Sequence, residues 1–432
     1  MRHLYTVLLY LATPLILARL YWRSRRLPDY RHRWAERFGV FPALPVPGCL
    51  WIHAVSVGET RAALPLIRAL RERYPTWPLL ITTTTPTGSQ QVREALRDAV
   101  WHVYAPYDLP GAVTRFLART RPRLAVVMET ELWPNLFHYC AAAGIPMVVA
   151  NARLSEHSAR GYARLGSLTA QMLAKGTLVA AQSEADAARF RALGAARVRV
   201  TGNLKYDLAL PPALLAQGQE LRRTWGAQRP VLIAASTHAG EEELILDACE
   251  RLRRRFSDLL LVLVPRHPER FPVVAELCRR RGLPLVARSE QRRCEQATQV
   301  FLGDSMGELL LFYAAADVAF VGGSLVPVGG HNVLEPALLG RPVLFGPQMF
   351  NFSEASQHLL EARAAWRVND AAELAETAGR LLGDPALRRA AGRRGKAMVE
   401  ANRGALAALV EIIGDLLDEV NNAVVRPARD SR

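Results

Sequence analysis

Two groups of residues in this chain have types and spacings that can do chemistry. The first group is acidic. Glu59 ends the run SVGE inside WIHAVSVGET (51–60), three residues after Ser56 and next to Gly58. A glycine at a strand-to-helix turn lets backbone N–H groups approach a ligand, and a helix start favours an anion. Glu59 therefore reads in two ways: as a carboxylate capping the helix, or as a general base facing a site. Glu129 and Glu131, one residue apart in METELWPNL (128–136), follow an apolar run. Carboxylates there are costly if buried unpaired, so they are either solvated or functional. NARLS (151–155) offers Asn151, Arg153 and Ser155 as polar contacts, and GNLKYD (202–207) offers Lys205.

The second group is basic and glycine-rich. PRHPERF (265–271) places Arg266 and His267 directly after the most apolar run of the chain, which suits phosphate or carboxylate binding. GDSMGEL (303–309) follows another apolar run, and STHAGEEE (236–243) opens a helix. In GGSLVPVGGHNVLEPALLGRPVLFGP (322–347), paired glycines flank SLVPV and HN leads into a helix bearing Glu335. A glycine-rich turn before a helix is a ready phosphate site, and Glu335 can accept hydrogen bonds from ribose hydroxyls.

Other chemistries lack their residues. No D-x-D stands at a strand end, and no His/Cys cluster has metal spacing. G-x-S-x-G, the P-loop and G-x-G-x-x-G are absent too. The 5 cysteines are odd in number and widely spaced, which fits a reducing compartment better than a disulfide framework.

These motifs need elements to hold them. Apolar runs at 49–55, 79–83, 124–129, 147–151, 177–183 and 198–203 alternate with amphipathic stretches. The alternation restarts at 231–236, 259–265, 283–287, 299–303, 317–323 and 342–346. Such alternation implies parallel sheets covered on both faces. The fold expected is α/β: two doubly wound, Rossmann-like domains facing a cleft, with ligands at the carboxyl ends of the strands. The expected divisions are an anchor over 1–22, an amino-terminal domain over 23–207, a linker over 208–229, and a carboxyl-terminal domain with terminal helices over 230–432.

The anchor expectation rests on residues 4–18, which carry no charge, and on Arg19, Tyr21 and Trp22 after them. Arg23, Arg25, Arg26, Arg31, Arg33 and Arg37 follow closely. By the positive-inside tendency this flank stays cytoplasmic, against anionic headgroups of the inner leaflet. RSRR is a poor site for signal cleavage. With 55 Lys and Arg against 40 Asp and Glu, the net charge is +15, which favours anionic partners. Basic residues do not interleave with aromatics as in a nucleic-acid groove, so nucleic acid is not expected.

Taken in order, SVGET, ETELWPN, NARLS, GNLKYD, PRHPERF, DSMGE and GGSLVPVGGHNVLEPA resemble the signature series of the 3-deoxy-D-manno-octulosonic acid (Kdo) transferases of lipopolysaccharide biosynthesis. The resemblance spans roughly residues 2–360. It implies a GT-B fold and an inverting, metal-independent transfer of Kdo from CMP-Kdo to a lipid A precursor (lipid IVA) at the cytoplasmic side of the inner membrane. No cofactor is implied, and CMP-Kdo is the donor substrate. Residue by residue, it implies Glu59 as catalytic base, with Glu129 and Lys205 assisting. It implies Pro265, Arg266, Met306, Gly307, Glu308, Asn332, Val333, Leu334 and Glu335 as contacts to the cytidine nucleotide. Two other readings compete: a different transferase or sugar-nucleotide epimerase on the same fold, and a non-catalytic membrane-attached binding protein.

Overall fold

The computed structural model describes residues 1–25, 28–174 and 176–425. Arg26, one of the basic flank, lies outside the described residues. The chain forms two compact units: Met1–Asp207 joined by the stretch from Arg403, and Leu208–Asn402.

The first unit is built on a parallel sheet. Among the described residues its strands are β1 Leu50–His53, β2 Leu79–Thr83, β3 Trp101–Tyr104, β4 Leu124–Met128, β5 Met147–Ala152, β6 Thr177–Ala181 and β7 Arg197–Val200. Their order is β3-β2-β1-β4-β5-β6-β7. The central strands are apolar on both faces because helices cover both. Leu50, Ile52, Leu124 and Val126 pack into one core layer. Trp51, Ala125 and Val127, alternating with them, pack into the opposite one. The order reverses between β1 and β4, and parallel pairing puts every carboxyl end on one edge. The crevice at such a reversal is where open α/β sheets take ligands.

The second unit repeats the plan with β8 Val231–Thr237, β9 Leu260–Pro265, β10 Leu285–Ala287, β11 Val300–Leu302, β12 Val318–Val321, β13 Val343–Phe345 and β14 Ala365–Arg367. Their order is β10-β11-β9-β8-β12-β13-β14, so its reversal lies between β8 and β12. The two doubly wound units and the long apolar amino-terminal helix, Arg2–Ser24, match the α/β architecture read from the sequence.

Two details differ from the expected divisions, and a third concerns the basic flank. The 208–229 stretch is more than a linker, since it holds the Leu214–Trp225 helix. Trp225 there is 2% exposed and packs on Phe301, and Arg222 pairs with Asp317 at 2.8 Å. The last described helix, Ala405–Val425, belongs to the first unit and not to the second. Its stripe Leu409, Ile412, Ile413 and Leu416 packs with Leu50, Ile52 and Leu124. Asp207 ties its start by accepting from the N–H groups of Gly404 and Leu406, both at 2.8 Å. Finally, not all of the basic flank is available to headgroups. Arg37 is 4% exposed, donates to Thr84 O and lies 4.2 Å from the Tyr104 ring centroid, while Arg33 binds Glu36 at 2.6 Å.

Candidate active site

In the first unit, the helix after β1 sets the key carboxylate. Ser56 caps the Val57–Arg73 helix by accepting from the Glu59 N–H at 3.2 Å. Glu59 reaches back, accepting from the Val55 N–H at 2.8 Å and from the Ser56 hydroxyl at 2.9 Å. This is a variant of the capping box, so the cap reading of Glu59 is correct as far as it goes. It leaves the second lone-pair site of each oxygen unused by these bonds. Glu59 is only 7% exposed. Burial pushes its carboxyl up to about 7, against the Val55 N–H that favours the charged form, and the nearby Glu131 and Glu129 push the same way as burial. A helix cap needs no such environment; a general base working near neutrality does.

Glu129 and Glu131 stand after β4, across the sheet reversal from β1, and both are half-buried. The Glu131 carboxylate accepts from Trp133 Nε1 at 2.9 Å, and burial raises its pKa. Glu129 sits at φ 56°, and Asn151, at the end of β5, at φ 53°. Such left-handed backbone is costly for residues with side chains and concentrates where function needs it.

Lys205 enters through a chain of amides. Asn203 Nδ2 donates to Gln182 Oε1, Gln182 Nε2 donates to Asn151 O, and Asn151 Oδ1 accepts from the Leu204 N–H at 3.0 Å. The turn carrying Lys205 packs against the helix that carries Glu59. Two buried polar atoms at this edge, His53 Nε2 and Asn151 Nδ2, have no hydrogen-bond partner among the described residues. Burial pushes His53 down to about 3, so its ring is neutral. Of the other NARLS residues, Ser155 is committed to capping the Glu156–Arg164 helix, and Arg153 is exposed.

In the second unit the loops after β8, β9, β11 and β12 share one edge. Pro265 ends β9 and Arg266 follows it, the Arg266 N–H bonding Thr237 O at 3.0 Å. Around them cluster His238, His267, Arg270 and His331. The rings of His238 and His331 stack with their Nε2 atoms 2.8 Å apart. His238 is held below the usual imidazole range by burial and then by His267, Arg266 and Arg270. Arg270 is already matched by Glu242, whose side chain is fully buried, in a two-pronged pair at 3.1 and 3.0 Å.

The glycine-rich turn behaves differently from the sequence expectation. The carboxylate of Glu241, fully buried, accepts from the N–H groups of Gly323 at 2.6 Å, Ser324 at 2.9 Å and Leu325 at 2.8 Å. The turn at Gly323–Leu325 thus cradles a carboxylate, but that carboxylate is the protein's own, and the Gly322 N–H bonds Ala235 O. The N–H groups of Gly329 and Gly330 both bond Gly323 O, so neither is aimed at a ligand. A Cβ at Gly330, where φ is +73°, would lie 2.3 Å from Met349 Sδ, so the turn itself demands glycine. Sequence reading missed Glu241 because three glutamates at a helix start look like a solvated first turn.

The remaining candidates divide by exposure. Met306 is 61% exposed and Gly307 has φ +86°. Glu308 is clamped by Arg288 at 2.7 Å, which holds its carboxyl below the usual range. Asn332 donates to Glu335 at 3.0 Å, and burial raises Glu335. Val333 and Leu334 are fully buried, so their side chains serve the core and only their backbone can meet a ligand. Among the described residues no group of three or more His, Cys, Asp or Glu side chains is placed to hold a metal.

These sites sit in a chain with informative relatives. A family model described as "3-Deoxy-D-manno-octulosonic-acid transferase (kdotransferase)" matches residues 32–208. The chain is 44% identical over 422 residues to the 3-deoxy-D-manno-octulosonic acid transferase of Haemophilus influenzae, covering 96% of this chain and 99% of that protein. It is 38% identical over 429 residues to the enzyme of the same name from Bordetella pertussis, at 96% and 99% coverage. Among solved structures, a glycosyltransferase from Rickettsia africae has a TM-score of 0.55 at 14% identity, covering 87% of this chain and 99% of that one. The UDP-GlcNAc 2-epimerase of Neisseria meningitidis also has a TM-score of 0.55 at 14% identity, covering 85% and 100%. At that identity the likeness is one of fold, whereas the likeness in sequence runs nearly end to end. The chain therefore belongs to the Kdo transferase family, and it is a glycosyltransferase.

Proposed function

We propose that this enzyme transfers Kdo from CMP-Kdo to a lipid A precursor, lipid IVA, with inversion and without a metal, at the cytoplasmic face of the inner membrane in lipopolysaccharide biosynthesis. The observation that carries the chemistry is Glu59, a carboxyl set at the reversal point of the first sheet with its pKa raised to about 7. The acceptor hydroxyl gives its proton to Glu59 as its oxygen bonds to the ketosidic carbon. The bond from that carbon to the phosphate oxygen breaks, and its electron pair leaves with CMP. One displacement inverts the centre. Lys205 and Glu129, on the same unit as the base, assist at the acceptor side. In the second unit, Arg266 and the histidines around it meet the phosphate charge, and the loops at Met306–Glu308 and Asn332–Glu335 receive the rest of the nucleotide. With Gly329 and Gly330 turned inward, this task falls to side chains more than to the glycine turn.

Purified enzyme given CMP-Kdo is expected to release CMP only when lipid IVA is present. Release of a uridine nucleotide from a UDP-sugar would favour a different transferase on the same fold, and a sugar nucleotide altered in place without lipid would favour an epimerase. Excess chelator is expected to leave the CMP-Kdo rate within about twofold, since basic side chains can carry the leaving charge. Complete inhibition reversed only by a divalent ion would show that this assignment of the leaving-group charge is wrong.

Membrane association is part of the same reading. The amino-terminal helix is long and apolar enough to reach across a bilayer by length and composition, and a glycolipid acceptor gives it a purpose.

A further inference from the structure

We infer that the amino-terminal helix does not cross the bilayer but lies in its plane, with one face on its own unit and the other in lipid. This rests on the membrane association proposed above and adds its geometry.

The two ends of Arg2–Ser24 are held on the same body. At the amino end, the Tyr5 hydroxyl donates to Asp108 Oδ2 at 3.0 Å, while Thr6 and Arg2 donate to Asn135 Oδ1 at 3.1 and 3.3 Å. Asp108 and Asn135 belong to the globular core. Asn135 is fully buried, and Asp108 accepts the Asn135 and Leu136 N–H groups at the start of the Pro134–Ala142 helix, at 3.0 and 2.6 Å. At the other end Ser24 is 1% exposed and accepts from Arg31 Nε, seven residues on, at 2.8 Å, and just beyond it Arg33 ties the chain to the sheet by donating to His102 O at 2.7 Å. A helix of 23 residues is about 34 Å long, and a bilayer core is about 30 Å thick. Crossing would therefore strand Tyr5 and Thr6 about a membrane thickness from the groups they bind, or draw the charged Asp108 region into hydrocarbon.

The faces say the same. Half-buried or buried positions recur every three or four residues along the helix, through Tyr5, Leu9, Ala12, Ile16, Leu20 and Ser24. A helix ringed by lipid has no reason for such a stripe. The outward face is apolar as well: Leu4 is 61% exposed, Val7 54%, Leu8 57%, Leu11 70%, Leu15 74% and Trp22 60%. An apolar strip of that length facing water would be a liability, and lipid is the occupant its chemistry fits. Arg19, Arg23 and Arg25, with Tyr21 and Trp22 beside them, close the strip with groups suited to anionic headgroups.

The test uses the full chain with single cysteines at His3, Leu4, Leu11 and Leu15, each added to preformed phosphatidylethanolamine–phosphatidylglycerol vesicles. The signal of the parent protein is subtracted for its native cysteines. Fluorophores at Leu4, Leu11 and Leu15 are expected at one shallow depth, about 5–10 Å into the headgroup–acyl boundary, by brominated-lipid quenching. An impermeant thiol reagent outside the vesicles should label His3→Cys. A depth that deepens to the bilayer centre near Leu11 or Leu15, with His3→Cys protected, would overturn the inference in favour of a span. No quenching at any position would overturn it by removing the lipid occupant. CMP release on lipid IVA, measured on the same preparations, separates either failure from a failure of the enzymatic reading.

Discussion

Glu59→Gln is expected to lower kcat by about a hundredfold to ten-thousandfold, the usual contribution of a positioned general base. The fold should persist. Glutamine is nearly isosteric, its amide oxygen can still accept the Val55 N–H, and its NH2 can face Ser56 Oγ, preserving a capping box. CMP affinity should also persist, because the proposed nucleotide contacts belong to the other unit. Losses in kcat and kcat/KM should match if the interaction exists only in the transition state. If Glu59 acts only as a cap, the same change lowers stability by about 1 kcal/mol or less and leaves turnover intact. The pH profile adds an independent reading. A base must be ionised, and burial holds this carboxyl at about 7, so the wild-type rate should climb with pH and reach half its plateau near that value. A half-point at the ordinary carboxylate value would contradict Glu59 as the base, and Glu59→Gln turnover near normal would leave that role to Glu129 or Glu131.

Arg266→Ala is expected to weaken CMP binding by about tenfold to a hundredfold while sparing affinity for lipid IVA. A hydrogen bond from a charged group contributes about 1.5–3 kcal/mol, which sets that range. Arg266 follows directly on the carboxyl end of β9, at the sheet edge where the nucleotide is proposed to bind. Arg270 is matched by the buried Glu242 and acts as part of the scaffold. Calorimetric titration with CMP reads the change directly. An unchanged dissociation constant would remove Arg266 from the nucleotide site and shift attention to His238 and His331.

What could be read from the sequence follows from where burial falls. Central parallel strands are covered on both faces, so they appear as unbroken apolar runs such as LAVVM and LLVLVP, and these were legible. The edge strands WHVY (101–104) and AWR (365–367) were not, although the opposite edges at 197–200 and 285–287 were; each missed strand is short and interrupts its apolar residues with a histidine or an arginine. The last helix carries a clear apolar stripe, but a stripe does not say which sheet it covers; the deciding contact is Asp207, nearly two hundred residues earlier. In the candidate site, residue types at strand ends marked Glu59, Glu129, Glu131 and Lys205 as candidates, and only the family resemblance chose Glu59, Glu129 and Lys205 among them. The environment that tunes Glu59, and the internal carboxylate of Glu241 filling the glycine turn, are products of tertiary packing and have no local signal.

The central claim is tested most directly by mass analysis of the lipid recovered after purified enzyme is incubated with CMP-Kdo and lipid IVA. The account predicts lipid IVA heavier by whole Kdo residues, with CMP released in proportion. Unmodified lipid alongside a sugar nucleotide altered in place, or CMP released with no gain in lipid mass, would contradict it.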